Sequence, residues 1–273
     1  MGTVLRFLGA MAILVVVSSP ARAQQPALES QEATELAKKT QNPVGDLVTL
    51  PFQFNFNTGG DLGDETFFNL NFQPVLPFKL TSDWSMILRT IIPIDSVPAA
   101  DGVSYSGFGD TQVQMYVTPS VPGRFIWGVG PMLSLPTATA APVQTGTVGA
   151  GVGAVGLTMT GPWVIGALVN QYWPVVDSGG EPKTDLFVLQ PFVNYNLAHG
   201  WALSFAPIIT ANWDAASGDQ WTVPLGLGIT RTTVFNGRPM NLGVQYYYNV
   251  ARPDGSAAYQ IRFIVALLYP ERK

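Results

Sequence analysis

The sequence has no cysteine, so no disulfide can staple the fold and no thiolate can bind zinc or attack a substrate. Charge is scarce as well: 12% of residues are Asp, Glu, Lys or Arg, about half the roughly 25% of ordinary soluble domains. A surface meeting bulk water everywhere would be short of ionic side chains. Histidine occurs once, at His199, which leaves a His-based triad or a transition-metal site without enough ligands. No stretch reaches the roughly 18 apolar residues of a transmembrane helix, so a helical membrane protein is excluded. No basic patch suggests nucleic acid as a partner.

The chain begins MGTVLRFLGAMAILVVVSSPARAQQ. Arg6 supplies a charged start, Phe7 to Val17 an apolar stretch, and Ala21-Arg22-Ala23 a cleavage site of the A-x-A kind. Residues 1–23 therefore read as a secretory signal peptide. Its removal with Arg6 and Arg22 leaves 12 basic residues against 18 acidic ones, a net charge of −6. Residues 24–45 form an N-terminal segment whose LESQEATELAKKTQNP stretch pairs Glu35 with Lys38 and Lys39 at helical spacing and stops at Pro43. A short periplasmic or lumen-capping helix and a disordered leader both fit it.

From 46 to 270 the pattern is apolar and polar alternation broken by turn-rich segments. It predicts twelve strands, at 46–57, 66–78, 84–95, 107–118, 124–135, 146–159, 162–173, 184–196, 201–211, 220–231, 240–250 and 258–269. These are long for a soluble protein, whose strands run to about 5 or 6 residues, and suit a tilted membrane strand of about 9–11. Most even-numbered connections (LTSD, PSVPG, TG, LAHG) are shorter than the odd-numbered ones, the asymmetry of bacterial outer-membrane barrels; TTVFNGRP is the exception. In the last strand Tyr259, Ile261, Phe263, Val265, Leu267 and Tyr269 share one face, and Gln260 and Arg262 the other. Elsewhere the polar rows are amide-rich, as in Asn69, Asn71 and Gln73, or Gln190, Asn194 and Asn196. A narrow lumen favours amides that bond one another; a face in bulk water would carry charge. The expected fold is an all-β, antiparallel up-and-down transmembrane barrel of about 12 strands, with the Arg262 side inward.

All seven tryptophans (Trp84, Trp127, Trp163, Trp173, Trp201, Trp213, Trp221) fall near predicted strand ends, where headgroups would lie. Against this stand Pro51, Pro74, Pro93, Pro131, Pro191, Pro207 and Pro224, each of which removes a ladder hydrogen bond inside a predicted strand. Bulges must sit there, or those strands are misplaced. A faint repeat, QPVLPFKLTSDW at 73–84 and QPFVNYNLAHGW at 190–201, suggests one closed domain of like hairpins.

The stretches ATELAKKTQNPVGDL, IWGVGP, LPTAT, GPWVIGALVNQYW, LQPFVNYNL, ANWDAASGDQWTVPLGLG and YYNVARPDG resemble a family of proteobacterial (Gram-negative) outer-membrane proteins grouped with the phenol-degradation meta-pathway proteins. Members carry transporter labels, and some a misleading neuromedin U label. The resemblance covers essentially the whole mature chain. It implies a porin-like outer-membrane β-barrel that passes small compounds, aromatic or hydrophobic ones among them. The ending YPERK departs from the terminal aromatic of many such barrels and shifts the expected assembly signal to Leu268-Tyr269.

His199 lies in the turn LAHG, where a solvated role outweighs a catalytic one. No enzyme, no cofactor and no metal site is expected. The outer loops carry Asp61, Asp64, Glu65, Asp101, Asp177, Glu181, Asp214, Asp219 and Asp254; TGGDLGDE matches a calcium loop only loosely, and solvated charge explains these acids. The candidates for lumen lining and selectivity are Arg89, Asp110, Gln112, Gln190, Gln245, Gln260 and Arg262, because charged and amide side chains on a pore wall tune what passes. Arg231 falls on the lipid-facing row at a strand end, placed to reach the interface. Expected partners are outer-membrane lipid, a small-molecule solute and the barrel-assembly machinery. Three functions stay open: a passive small-molecule channel, a sealed structural or adhesive barrel, and a soluble secreted β protein.

Overall fold

A computed structural model describes residues 30–98, 104–139, 143, 146–177 and 185–269. The expected signal peptide, the chain end at 270–273, and the loop acids Asp101 and Glu181 lie outside the described residues. One helix, α1 (Ser30–Thr40), precedes the β-segments β1 (Val48–Thr58), β2 (Thr66–Phe72), β3 (Val75–Lys79), β4 (Trp84–Pro98), β5 (Ser104–Phe108), β6 (Thr111–Pro119), β7 (Phe125–Leu135), β8 (Thr147–Thr160), β9 (Trp163–Asp177), β10 (Leu186–Asn196), β11 (Trp201–Phe205), β12 (Ile209–Asn212), β13 (Trp221–Phe235), β14 (Arg238–Ala251) and β15 (Tyr259–Tyr269). Segments β2 and β3, β5 and β6, and β11 and β12 are halves of interrupted strands. The wall is thus a closed, 12-stranded antiparallel barrel. It closes where β15 pairs with β1 and β9 with β10. Closure leaves no sheet edge, the condition for carrying backbone polar groups through hydrocarbon.

Three expected strands, 66–78, 107–118 and 201–211, are each broken. The breaks fall at Gln73-Pro74, Gly109-Asp110 and 206–208, and two of them hold a proline that has no N–H to give the ladder. Neighbouring groups take over the lost pairing: the Gln73 N–H donates to the Pro51 carbonyl at 2.9 Å, and the Gly109 N–H to the Pro93 carbonyl at 3.0 Å. Pro224 sits at a register shift between β13 and β14. Pro131 and Pro191 are carried within continuous strands.

The register fixes two faces. On β15 and β1 the pairs Arg262 with Asn55 and Gln260 with Asn57 point inward, while Phe263 with Phe54 and Val265 with Phe52 point outward. Around the barrel the outward row is aliphatic and exposed: Leu227 is 64% exposed, and Val152, Leu225, Val169, Ile229 and Val244 follow. In a soluble protein these side chains would be the core; here they form the belt that meets hydrocarbon. Aromatics border the belt at both rims, with Trp84 against Trp127 at 6.0 Å at one end and Trp213 against Trp221 at 5.4 Å at the other. Arg231, on the outward row, lies 5.0 Å over the Trp201 ring, a cation–π contact that suits an interfacial arginine.

Short turns gather at the end that carries α1, the end that the rule for such barrels expects on the periplasmic side. There α1 docks on the turn holding Ala198–Gly200 and on the ends of β10, β11 and β13. Ala33 and Ala37 are buried, and Leu36 packs on Leu47, Ala266 and Leu268. Gln41 and Asn196 exchange amide hydrogen bonds at 3.0 Å in both directions. Gly200 has φ +74°, and a Cβ there would lie 2.2 Å from the Thr232 carbonyl oxygen and 3.2 Å from the Ala33 Cβ. The helix rests on a turn whose position 200 requires glycine.

Candidate functional site in the barrel lumen

The lumen is built in layers. Nearest the periplasmic end lies an apolar floor that the amide-rich reading of the sequence did not anticipate. Ile87, Tyr116, Met132, Val155, Leu157, Val164, Leu168, Tyr172 and Phe192 project inward and bury one another. Val44, from the segment between α1 and β1, joins them and packs at Gly128 and Tyr116. This floor was hidden because the inward and outward residues of β8 and β9 are both apolar, so alternation gives no contrast.

Toward the outer end, Arg262 sits buried on β15 with its guanidinium 5.3 Å over the Tyr247 ring. Its Nε donates to the Asn55 Oδ1 at 2.8 Å, and its terminal nitrogens to Gln260 at 2.9 Å and Gln245 at 3.4 Å. The Asn55 amide in turn donates to Asn69 at 2.9 Å, and Asn69 to the Asp95 carboxylate at 2.6 Å. Each amide turns its oxygen toward the cation and its nitrogen toward the anion. A buried cation and carboxylate are thereby joined across four adjacent strands by two polarised amides, which lowers the cost of burying both. Gln260 further donates to Asn57 at 2.8 Å and Gln245 to Ser204 at 3.2 Å. Sequence reasoning missed Asp95, though it shares the inward parity of Arg89 on β4, the one signal that could have found it.

Arg89 stands at the edge of the floor. Its Nη2 donates to Gln73 at 2.7 Å and its Nη1 to Gln114 at 3.5 Å. Gln73 passes on to Gln53 at 3.2 Å. Gln114 donates to the Tyr172 hydroxyl at 3.0 Å, which donates to Gln112 at 3.2 Å. Unlike that of Arg262, this chain reaches no carboxylate among the described residues. Gln190 lies on the inward row of β10, half-buried. Asp110 sits in the break between β5 and β6, where its Oδ1 accepts the Ala138 N–H at 3.0 Å. The structure thus brings Gln245, Gln260 and Arg262 into one network and Arg89 and Gln112 into another, and leaves Asp110 and Gln190 outside both.

His199 falls in the periplasmic turn with φ 59°. Among the described residues no group of three or more His, Asp or Glu side chains is placed to hold a metal ion.

A closed barrel with an aliphatic outer belt, aromatic rims and a polar-lined interior defines the class of porin-like outer-membrane β-barrels. No protein-family model matches the chain, and no curated protein does. Among solved structures, an outer membrane channel from Pseudomonas putida F1 is similar with a TM-score of 0.60 at 14% identity, over 82% of this chain and 94% of that one. Outer membrane phospholipase A from Escherichia coli is similar at a TM-score of 0.44 and 10% identity, over 83% of this chain and 97% of that one. The phospholipase corrects one expectation. An enzyme stands among the structural neighbours, which overturns the expectation that a barrel with a single histidine is not an enzyme. At that distance the likeness assigns no activity to this chain.

Proposed function

We propose that this protein is a passive outer-membrane channel for small molecules, aromatic or otherwise hydrophobic ones included, belonging with the phenol-degradation meta-pathway group that its sequence resembles. On this reading residues 1–23 are the export signal, 24–45 the periplasmic segment and 46–270 the barrel, inserted into outer-membrane lipid by the assembly machinery. Arg89, Asp110, Gln112, Gln190, Gln245, Gln260 and Arg262 are its selectivity residues, acting by charge and hydrogen bonding without a cofactor. The observation that carries the reading is the inward polar row of β15, β1, β2 and β4, set in a closed wall whose outward row is aliphatic.

The test is conductance in planar bilayers together with solute-driven liposome swelling. Permeation is the expected result, and it should rise when residues 30–45 are removed. A second reading, a sealed structural barrel, is favoured by Val44 packing into the buried apolar floor; failure of both intact and truncated protein to pass any solute would establish it over the channel. The soluble alternative is set aside, because the aliphatic row is exposed rather than packed between sheets.

A further inference from the structure

The two inward arginines differ in what balances them. Arg262 is tied through Asn55 and Asn69 to Asp95, so its charge is answered inside the protein. Arg89 meets amide oxygens, with tyrosine hydroxyls beyond them, and no carboxylate among the described residues lies within ion-pair reach. Even a partly buried guanidinium without an anion carries a desolvation cost, and neutral amides offset only part of it. Two hydrogen bonds, one of them long, also leave most of its five N–H donors unused.

Exposure and lining agree with the charge. Arg89 is half-buried rather than sealed, and so are the inward Ile91 and Pro93 that follow it on the same face of β4, with Val188 on β10. Next to it Ile87, Tyr116 and Tyr172 are buried in the apolar floor. A solute that reaches this level of the lumen meets a cation flanked by the Gln73 and Gln114 amides, with the apolar Ile91 and Pro93 above it on β4. We infer that Arg89 is a seat for the carboxylate of a small amphipathic acid whose apolar body lies against Ile91 and Pro93. The planar fork of a guanidinium matches a carboxylate by two parallel hydrogen bonds, and the apolar neighbours disfavour a fully hydrated inorganic anion. The inference deepens the channel reading by naming a substrate class, and it is tested by binding, apart from transport.

Purified full-length protein in lipid nanodiscs is titrated calorimetrically with benzoate, with benzamide as the neutral isostere and with inorganic phosphate as the anion lacking an apolar body. Benzoate is expected to bind about tenfold or more tightly than either, the scale of a charge-assisted pair. Arg89→Gln should lose that preference and Arg89→Lys should retain part of it, with heat-modifiable gel migration checking that each variant is folded. Equal binding of benzamide or phosphate, benzoate binding that survives in Arg89→Gln, or no benzoate binding at all overturns the assignment. Conductance on the same preparation separates the two claims: a conducting protein that ignores benzoate sinks the seat alone, and a benzoate-binding protein that never conducts sinks the channel alone.

Discussion

At the scale of single residues, burial decides which contacts matter. Arg262 lies in the lumen wall and anchors a relay ending on Asp95. Arg262→Met removes the cation and leaves a buried carboxylate with only amide partners, an imbalance that costs about 3–5 kcal/mol in comparable buried pairs. The expected outcome is a lowered unfolding midpoint in urea, and the double variant Arg262→Met with Asp95→Leu should recover much of it. The contact between Asp61 and Arg252 is the exposed counterpart. Arg252 Nη1 donates to Asp61 Oδ2 at 2.7 Å, and the Gly255 N–H donates to the same oxygen at 2.9 Å, tying the loop after β1 to the loop before β15. The Arg252 hydrogen bond foremost, then that from Gly255, holds the Asp61 carboxyl below its ordinary value of 3.8. A depressed carboxylate contributes above its unfolded value and stops contributing as pH falls through its folded value. Protection of the Gly255 amide, measured against its intrinsic exchange rate, should thus fall on acidification below about pH 4, and Asp61→Asn should show low protection throughout. Being solvent-exposed, the tie should also weaken with salt.

At the scale of elements, α1 and the broken strands set what the wall can do. The helix has little intrinsic stability at this length; its hold comes from Ala33 and Ala37 on the turn around Gly200, and from the Gln41–Asn196 amide pair. Ala37→Glu puts a charge into that contact and should release α1 while the barrel stays closed. Rapid hydrogen exchange over 30–40 with unchanged exchange in β13 and β14 is the expected signature. Unchanged protection of α1 would mean that the helix is held by something other than this face. The interruptions at Gln73-Pro74 and 206–208 follow from proline's missing donor, so the strand ends were legible and the breaks were flagged by composition. Gly109-Asp110 gave no such warning, because its glycine answers to a tertiary contact: a Cβ at position 109 would lie 2.6 Å from the Asp95 Oδ2 and 3.0 Å from the Pro93 Cβ.

At the scale of the whole molecule, the barrel is a core turned outward. Leu227 lies near the middle of β13 and is among the most exposed aliphatic residues of the belt. Leu227→Arg should destabilise the membrane-embedded protein by about 2–4 kcal/mol, the cost of a cation at the bilayer midplane. The equivalent change at exposed Val121, in the periplasmic turn, should be nearly neutral. Equal sensitivity at the two positions, read by reversible unfolding in lipid vesicles, would count against the placement of the belt.

The sequence by itself determined the strand number, the long-strand antiparallel architecture and which parity faces inward, because a period of two is a local property that each strand displays alone. It also placed Arg89 and Arg262 on the inward row and all the tryptophans near strand ends. Only the tertiary structure decided which inward groups meet. The path from Arg262 to Asp95 crosses the junction of the first and last strands, where the register joins residues that lie far apart in the chain. The apolar floor that Val44 joins, and the lack of a carboxylate for Arg89 among the described residues, depend likewise on how twelve strands and one segment converge around a single axis. Alternation along a strand tells a side chain which way to face; it holds no information about what faces back.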